Sequence, residues 1–211
     1  MNHMSLNEID AVLKDQTSRW LDIASGRESF GSGTAAEQSM RFQMEQLLPL
    51  TARRCRLQLD PALKGDVDAL VSLVGMSPQT TIMISEAMRP KRVLLVTSAN
   101  AGASLQSIES WFADPQRDWH APEAESRLIP PTDSNATGAV VREWVRRIRA
   151  QVPGARIVFD ATGGKKSMSV IAGMLAVELG IDVVYLDSTY DPSLRMPRPG
   201  SEVLVPIPIP R

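Results

Sequence analysis

Between residues 67 and 186 the chain repeats one pattern: a short apolar run, a few small polar residues, then a stretch with helical spacing. The apolar runs are residues 69–74, 92–97, 156–160 and 181–186, with a weaker one at 126–129. Runs this short and this apolar fit strands buried on both faces. The stretches at 80–88, 104–112, 140–148 and 167–179 read as helices. The sharpest sets Val140, Val141, Trp144, Val145 and Ile148 on one stripe and Arg142, Arg146, Arg147 and Arg149 off it, a solvated face rather than a nucleic-acid groove. Strands alternating with helices imply right-handed crossovers. The fold class expected is therefore α/β, a Rossmann-like, mostly parallel sheet with helices on both faces. Residues 202–209, broken up by Pro206 and Pro208, read as an edge strand.

Residues 1–66 do not share this pattern and are expected to form an N-terminal, mainly helical extension to a domain of residues 67–211. Leu6, Ile9, Val12, Leu13, Trp20 and Ile23 recur near a 3.6 period, with Ser5 or Asn7 as N-cap. Residues 26–34 are rich in Gly and Ser and read as a loop. Residues 35–50 predict a second helix closed near Pro49. Cys55, Leu57 and Leu59 then alternate with Arg54, Arg56 and Gln58, which predicts a short strand over 53–59.

Composition narrows the function classes. The net charge of -1 supplies no global field for nucleic acid or anionic membrane, so no direct DNA binding is expected. The lone cysteine, Cys55, has no partner for a disulfide or a zinc site, and a reducing cytoplasm is the expected compartment. No apolar run approaches the ~18–20 residues that span a bilayer. His3 and His120 lie in polar segments outside metal-ligand spacing, and the acidic residues form no obvious catalytic pair. No metal and no cofactor are expected.

Ligands of doubly wound sheets bind outside the carboxyl ends of the strands. Three loops there carry small polar residues: 75–80, 97–100 and 160–168. The third, Asp160-Ala161-Thr162-Gly163-Gly164-Lys165-Lys166-Ser167-Met168, is the most informative. Its glycines let backbone approach a ligand, the following helix offers unpaired amides, and its lysines add charge. That combination suits a phosphate or another anion. Taken alone, the loop is equally a strand-to-helix turn with a serine cap and two solvated lysines. Asp160 can orient it by accepting its amides. A Walker A loop fails on spacing, because Phe159 stands five residues before Gly164 and Lys166 follows Lys165. The Gly-x-Gly-x-x-Gly dinucleotide fingerprint is absent. In the first loop Ser77 can cap a helix begun by Pro78, which still leaves that helix's amides to a ligand.

The stretch from Phe159 to Ser169 resembles the Asp-x-Thr-Gly-Gly-x-Lys-x-Met motif of CARF domains, the CRISPR-associated Rossmann-fold sensors. Val74-Gly75-Met76-Ser77-Pro78 is similar to that family's first-strand loop. Met88-Arg89-Pro90-Lys91-Arg92-Val93 and Val96-Thr97-Ser98 are similar to the entry and exit of its second strand. Tyr190-Asp191-Pro192 and the run from Pro197 to Glu202 are similar to the domain's tail in some members. The resemblance covers roughly residues 67–205 and implies a homodimer that binds cyclic oligoadenylate, the type III CRISPR second messenger, across its two-fold axis. It implies a site of Gly75, Met76, Ser77, Pro78, Gln79, Thr97, Ser98, Thr162, Gly163, Gly164, Lys165, Lys166, Ser167 and Met168. Lys166 matches the motif lysine, and Lys165 holds its variable position. The chain departs from common members in its effector: no Arg-x-x-x-x-His motif, restriction-like acidic set or winged-helix tail is found.

The leading expectation is binding of cyclic oligoadenylate, tetra-adenylate favoured over hexa-adenylate, with metal-independent cleavage as a ring nuclease. The ligand's own 2′-hydroxyl would attack, and Lys166, Ser77 and Ser98 are the candidate catalytic residues. The alternative is a non-catalytic sensor module of a larger effector, relaying the signal to a partner. A phosphotransferase or nucleotide hydrolase ranks below both, since it needs an acidic metal cluster that the sequence lacks.

Overall fold

A computed structural model describes residues 4–115, 119–130, 133–164, 166–192 and 196–209, with Ser134 and Lys166 as backbone only. In chain order the elements are α1 (Leu6–Ala24), α2 (Ala35–Phe42), α3 (Leu48–Leu57), β1 (Ala69–Leu73), α4 (Pro78–Met88), β2 (Arg92–Thr97), α5 (Gly102–Phe112), β3 (Glu123–Leu128), α6 (Ser134–Gln151), β4 (Ile157–Asp160), α7 (Lys166–Leu179), β5 (Asp182–Asp187), β6 (Tyr190–Asp191), β7 (Met196–Pro197) and β8 (Val203–Ile207). The chain divides into two compact units, Met1–Leu59 with Asp187–Val203, and Asp60–Leu186 with Leu204–Arg211.

The first unit is built on two helical rods. Ser5 and Glu8 form a capping box at the start of α1, and Thr34 and Glu37 form another at α2. Each reciprocal pair satisfies amides that a helix start otherwise leaves open, worth about 1 kcal/mol. Ile9, Leu13, Trp20 and Ile23 of α1 bury against Phe42 and Leu47. The Trp20 indole donates to the Ser39 carbonyl at 3.0 Å.

The strand expected over residues 53–59 is not there. A π-helical turn, Gln43–Leu47, carries α2 straight into α3, and Pro49 lies in the first turn of α3 instead of ending a helix. The Leu48 amide reaches back five residues to the Gln43 carbonyl. A widened turn beside a proline is a common accommodation for its missing N–H. Leu48, Thr51, Ala52 and Cys55 are the buried positions, a helical stripe that the alternation of Arg54 to Leu59 concealed. The described residues of 187–203, placed by sequence with the C-terminal domain, belong to this unit. Thr17 donates to the Pro199 carbonyl at 3.2 Å and Arg54 to the Glu202 carbonyl at 2.7 Å. Within this segment β6 and β7 pair antiparallel.

The second unit is the expected α/β domain. Its six-stranded sheet runs β3-β2-β1-β4-β5-β8, and the four described pairings among β3, β2, β1, β4 and β5 are parallel. Ala69, Val71 and Leu73 of β1, with Leu94, Val96, Ile157, Phe159 and Val183, face α6 and α7. Ser72 points to the opposite face and hydrogen-bonds Thr81 of α4. Two buried faces per strand explain why these strands read as continuous apolar runs. The β3 strand forms one edge and is exposed along most of its length, so its sequence signal is weak. Glu123 and Glu125 on it pair with Arg92 and Arg147, charges that discourage edge-to-edge association. Among the described residues no helix is long and apolar enough to cross a membrane.

Candidate functional site

Chain order sets where a ligand can enter. From β1 the chain builds outward through β2 to β3, then returns to place β4 on the other side of β1. The switch point of the sheet therefore lies between β1 and β4, and their carboxyl ends open the crevice that doubly wound folds use for ligands. Loops 74–77 and 161–164 leave from those ends.

The two loops meet backbone to backbone. A side chain at Gly163 would land on the Leu73 carbonyl oxygen, and one at Gly75 would come within 2.9 Å of the Gly164 amide nitrogen. Gly164 itself has φ of 82°, a left-handed conformation that favours glycine. The three glycines are thus required by geometry: two by close approach and one by backbone conformation. Immediately beyond, α7 begins at Lys166 and runs for 14 residues, so its first amides and its positive dipole end lie at the same crevice.

The remaining predicted residues divide by exposure. Met76, at 84% exposed, and Ser77 project from the first loop. Ser77 precedes α4, yet its side chain makes no capping bond. Pro78 opens that helix half-buried, and Gln79 is buried. On β2, Thr97 is buried and its hydroxyl donates to the Ser98 carbonyl at 3.3 Å. Ser98 is half-buried with no capping bond of its own. The register Leu73↔Val96 brings the ends of β1 and β2 level, so Ser77 and Ser98 leave from neighbouring strands. Ser167 is exposed, and Met168 packs against the core below Gly164. Lys165 and the side chain of Lys166 lie outside the described residues.

Beneath the loops lies a buried polar chain that sequence reasoning only half recognised. Asp160 is fully buried. Its Oδ1 accepts the Thr162 amide at 2.8 Å and its Oδ2 accepts the Ser72 hydroxyl at 2.6 Å. The Thr162 hydroxyl accepts the Leu186 amide at 2.8 Å. Ser72 lies 2.8 Å from the Thr81 hydroxyl. Burial pushes the Asp160 carboxyl above the usual range, opposed by the Ser72 and Thr162 hydrogen bonds. The signal available for Ser72 was a single hydroxyl inside an otherwise apolar strand.

A cavity of about 340 Å³ lies elsewhere, at the amino ends of β2 and β3, lined by residues including Arg89, Lys91, Arg92, Trp119 and Glu123. Two of its cations face carboxylates: Lys91 pairs with Asp68 at 2.8 Å and Arg92 with Glu123 at 3.0 Å. Three arginines of α6 are similarly engaged. Arg142 pairs with Glu178, Arg147 with Glu125, and Arg149 donates to the Leu179 carbonyl. Among the described residues no group of His, Cys, Asp and Glu is arranged to hold a metal.

No family model matches the sequence, and no curated protein matches it. Among solved structures the chain is similar to Can2 from Sulfobacillus thermosulfidooxidans in complex with cyclic tetra-adenylate, at 20% identity and a TM-score of 0.44, over 57% of this chain and 32% of that one. It is also similar to Enterococcus italicus Csm6 bound to cyclic hexa-2′-fluoro-hexa-dAMP, at 16% identity and a TM-score of 0.48, over 58% and 34%. The match thus spans about a third of the length of either chain.

Proposed function

We propose that the second unit is a CARF-type domain that binds cyclic oligoadenylate at the β1/β4 switch point. The observation that carries this reading is the backbone contact of Gly75 with Gly163-Gly164, directly before the start of α7. Such a cradle presents amides and a helix dipole to an anion while leaving no side chain between ligand and backbone. A phosphodiester ring places anions around a perimeter, and two copies of one cradle related by a two-fold axis match that arrangement. A dimer is supported by α7 itself. Val170, Met174 and Val177 are 64%, 68% and 53% exposed and follow one another at helical spacing. This apolar stripe starts beside the loop, so pairing it with a second copy would draw two cradles together. In this reading the ligand belongs to type III CRISPR antiviral signalling, with tetra-adenylate preferred over hexa-adenylate.

The same site can support cleavage. Ser77 and Ser98, whose side chains make no capping bonds, stand on adjacent strand ends where they could hold a ribose in line. Lys166 would stabilise the phosphate charge as the 2′-hydroxyl attacks. One assay separates the parts. The full chain is incubated with labelled cyclic tetra- and hexa-adenylate, and binding and linear products are both scored. Turnover of the tetra-adenylate without added metal supports the ring nuclease; binding without products leaves a sensor module. Failure to bind either ring removes the reading altogether.

A further inference from the structure

We propose that Thr81, Ser72 and Asp160 are the positioning residues of this site, acting together to hold both glycine loops in their anion-binding geometry. The inference rests on the binding reading above but is carried by the hydrogen bonds beneath the loops. Ser72 sits on β1, one residue before Leu73, whose carbonyl packs on Gly163. Thr81 lies on α4, the helix that follows the first loop, and Asp160 ends β4 before the second. The chain Thr81–Ser72–Asp160–Thr162 therefore joins an element before and after the first loop to the first residues of the second. Beyond it, the Thr162 hydroxyl accepts the Leu186 amide and ties in β5.

Proton counting fixes the direction of the chain. In its ionised form the carboxylate only accepts, and the single Ser72 proton then goes to Asp160. Thr81 must then donate to Ser72. Asp160 spends one oxygen on the Thr162 amide and the other on Ser72. Among the described residues its hydrogen bonds come from uncharged groups alone, so its part is to accept hydrogen bonds at set positions. A buried carboxylate near an anion site is otherwise unfavourable, since its charge opposes the ligand. What the site needs from residue 160 is an acceptor aimed at the Thr162 amide. Asparagine supplies one. Its Oδ1 can accept that amide while its Nδ2 donates to Ser72, and Ser72 then donates to Thr81.

The test compares Asp160→Asn, Asp160→Ala and Ser72→Ala in the full chain. Amide exchange over residues 162–164 is measured without ligand, and affinity for cyclic tetra-adenylate is measured separately. Asp160→Ala should speed exchange in the loop and weaken ring binding roughly tenfold, the scale of one lost buried hydrogen bond. Ser72→Ala should do the same to a smaller degree and is the variant to use if Asp160→Ala does not fold. Asp160→Asn should restore both wild-type exchange and wild-type affinity. Loop exchange unchanged in folded Asp160→Ala or in Ser72→Ala would overturn the proposal. So would an Asp160→Asn protein as impaired as Asp160→Ala, because charge rather than acceptor geometry would then be at work. If the wild-type chain binds no ring, the functional reading fails, while the exchange data still decide the positioning role.

Discussion

The two ends of the sheet in the second unit make opposite use of charge. At the amino ends of β2 and β3, the cavity bears more described cationic side chains, but Lys91 and Arg92 face Asp68 and Glu123 at hydrogen-bonding distance. At the carboxyl ends of β1 and β4, the described part of the crevice is glycine backbone, two exposed loop residues and a helix start. Counting basic residues would favour the first region as an anion site. Asking which donors are already satisfied favours the second. A phosphate entering the amino-end cavity must displace carboxylates from their cations, whereas at the carboxyl ends the first amides of α7 have no intrahelical acceptor.

The largest way to break this contrast is to fill the glycine contact. Gly163→Ala puts a methyl group on the Leu73 carbonyl. The backbone must move, and overpacking of this kind costs about 1–3 kcal/mol. We expect a lowered melting temperature and loss of ring binding beyond detection in a titration to ~100 times the wild-type Kd, a deficit of over about 2.7 kcal/mol. Gly154→Ala is the control. Gly154 also has positive φ, 78°, but nothing lies within 4 Å of the added carbon, so it should lose only about 1–2 kcal/mol of stability and no affinity. Equal loss of binding in both variants would show that general destabilisation, not the loop contact, controls the site.

A smaller effect sharpens the comparison of lysines. Lys166→Ala removes a formal charge at the start of α7, and a charge-assisted hydrogen bond to phosphate is worth about 1.5–3 kcal/mol. Ring affinity measured by calorimetry should fall roughly ten- to a hundredfold. Lys91→Ala, at the other end of the sheet, should leave affinity unchanged. Reversal of the two results would move the site to the amino-end cavity.

The sequence disclosed these regions unevenly, for physical reasons. Strands β1, β2 and β4 are buried on both faces and β5 over Val183, Val184 and Leu186, and their apolar runs are unambiguous. At the edge, β3 keeps only a trace of the pattern because solvent accepts most of its side chains. The segment now seen as α3 was misread because seven residues can satisfy a period of two and a period of 3.6 together. Residues 187–203 carry no periodicity at all. Their place beside α1 and α3 is set by tertiary bonds such as Thr17 to Pro199. In the candidate site, the glycines and the loop-orienting aspartate were visible because backbone chemistry constrains residue type. Ser72 and Thr81 were not, because a lone hydroxyl in an apolar segment is more often satisfied locally, and only the fold brings residue 72 beside residue 160.

The smallest effects are expected from two aspartates that frame the comparison. Asp68, at the amino end of β1, is held below the usual carboxylate range by its bond from Lys91, then by the Arg156 amide. Between its lowered folded pKa and the ordinary value of about 3.9, the unfolded chain binds more protons. Its contribution is therefore present above about pH 4 and lost on acidification. Asp160, at the carboxyl end of β4, is raised by burial. Between the ordinary value and its raised folded value the native state binds more protons, so stability falls as pH rises through that window. Asp68→Asn should flatten the acid limb of a plot of unfolding free energy against pH, and Asp160→Asn should remove the opposite slope above it. Urea titrations of the three proteins at several pH values between about 3 and 8 measure both. Slopes of the same sign at the two positions would mean that the hydrogen bonds from Ser72 and Thr162 outweigh burial and hold the folded Asp160 below the ordinary value.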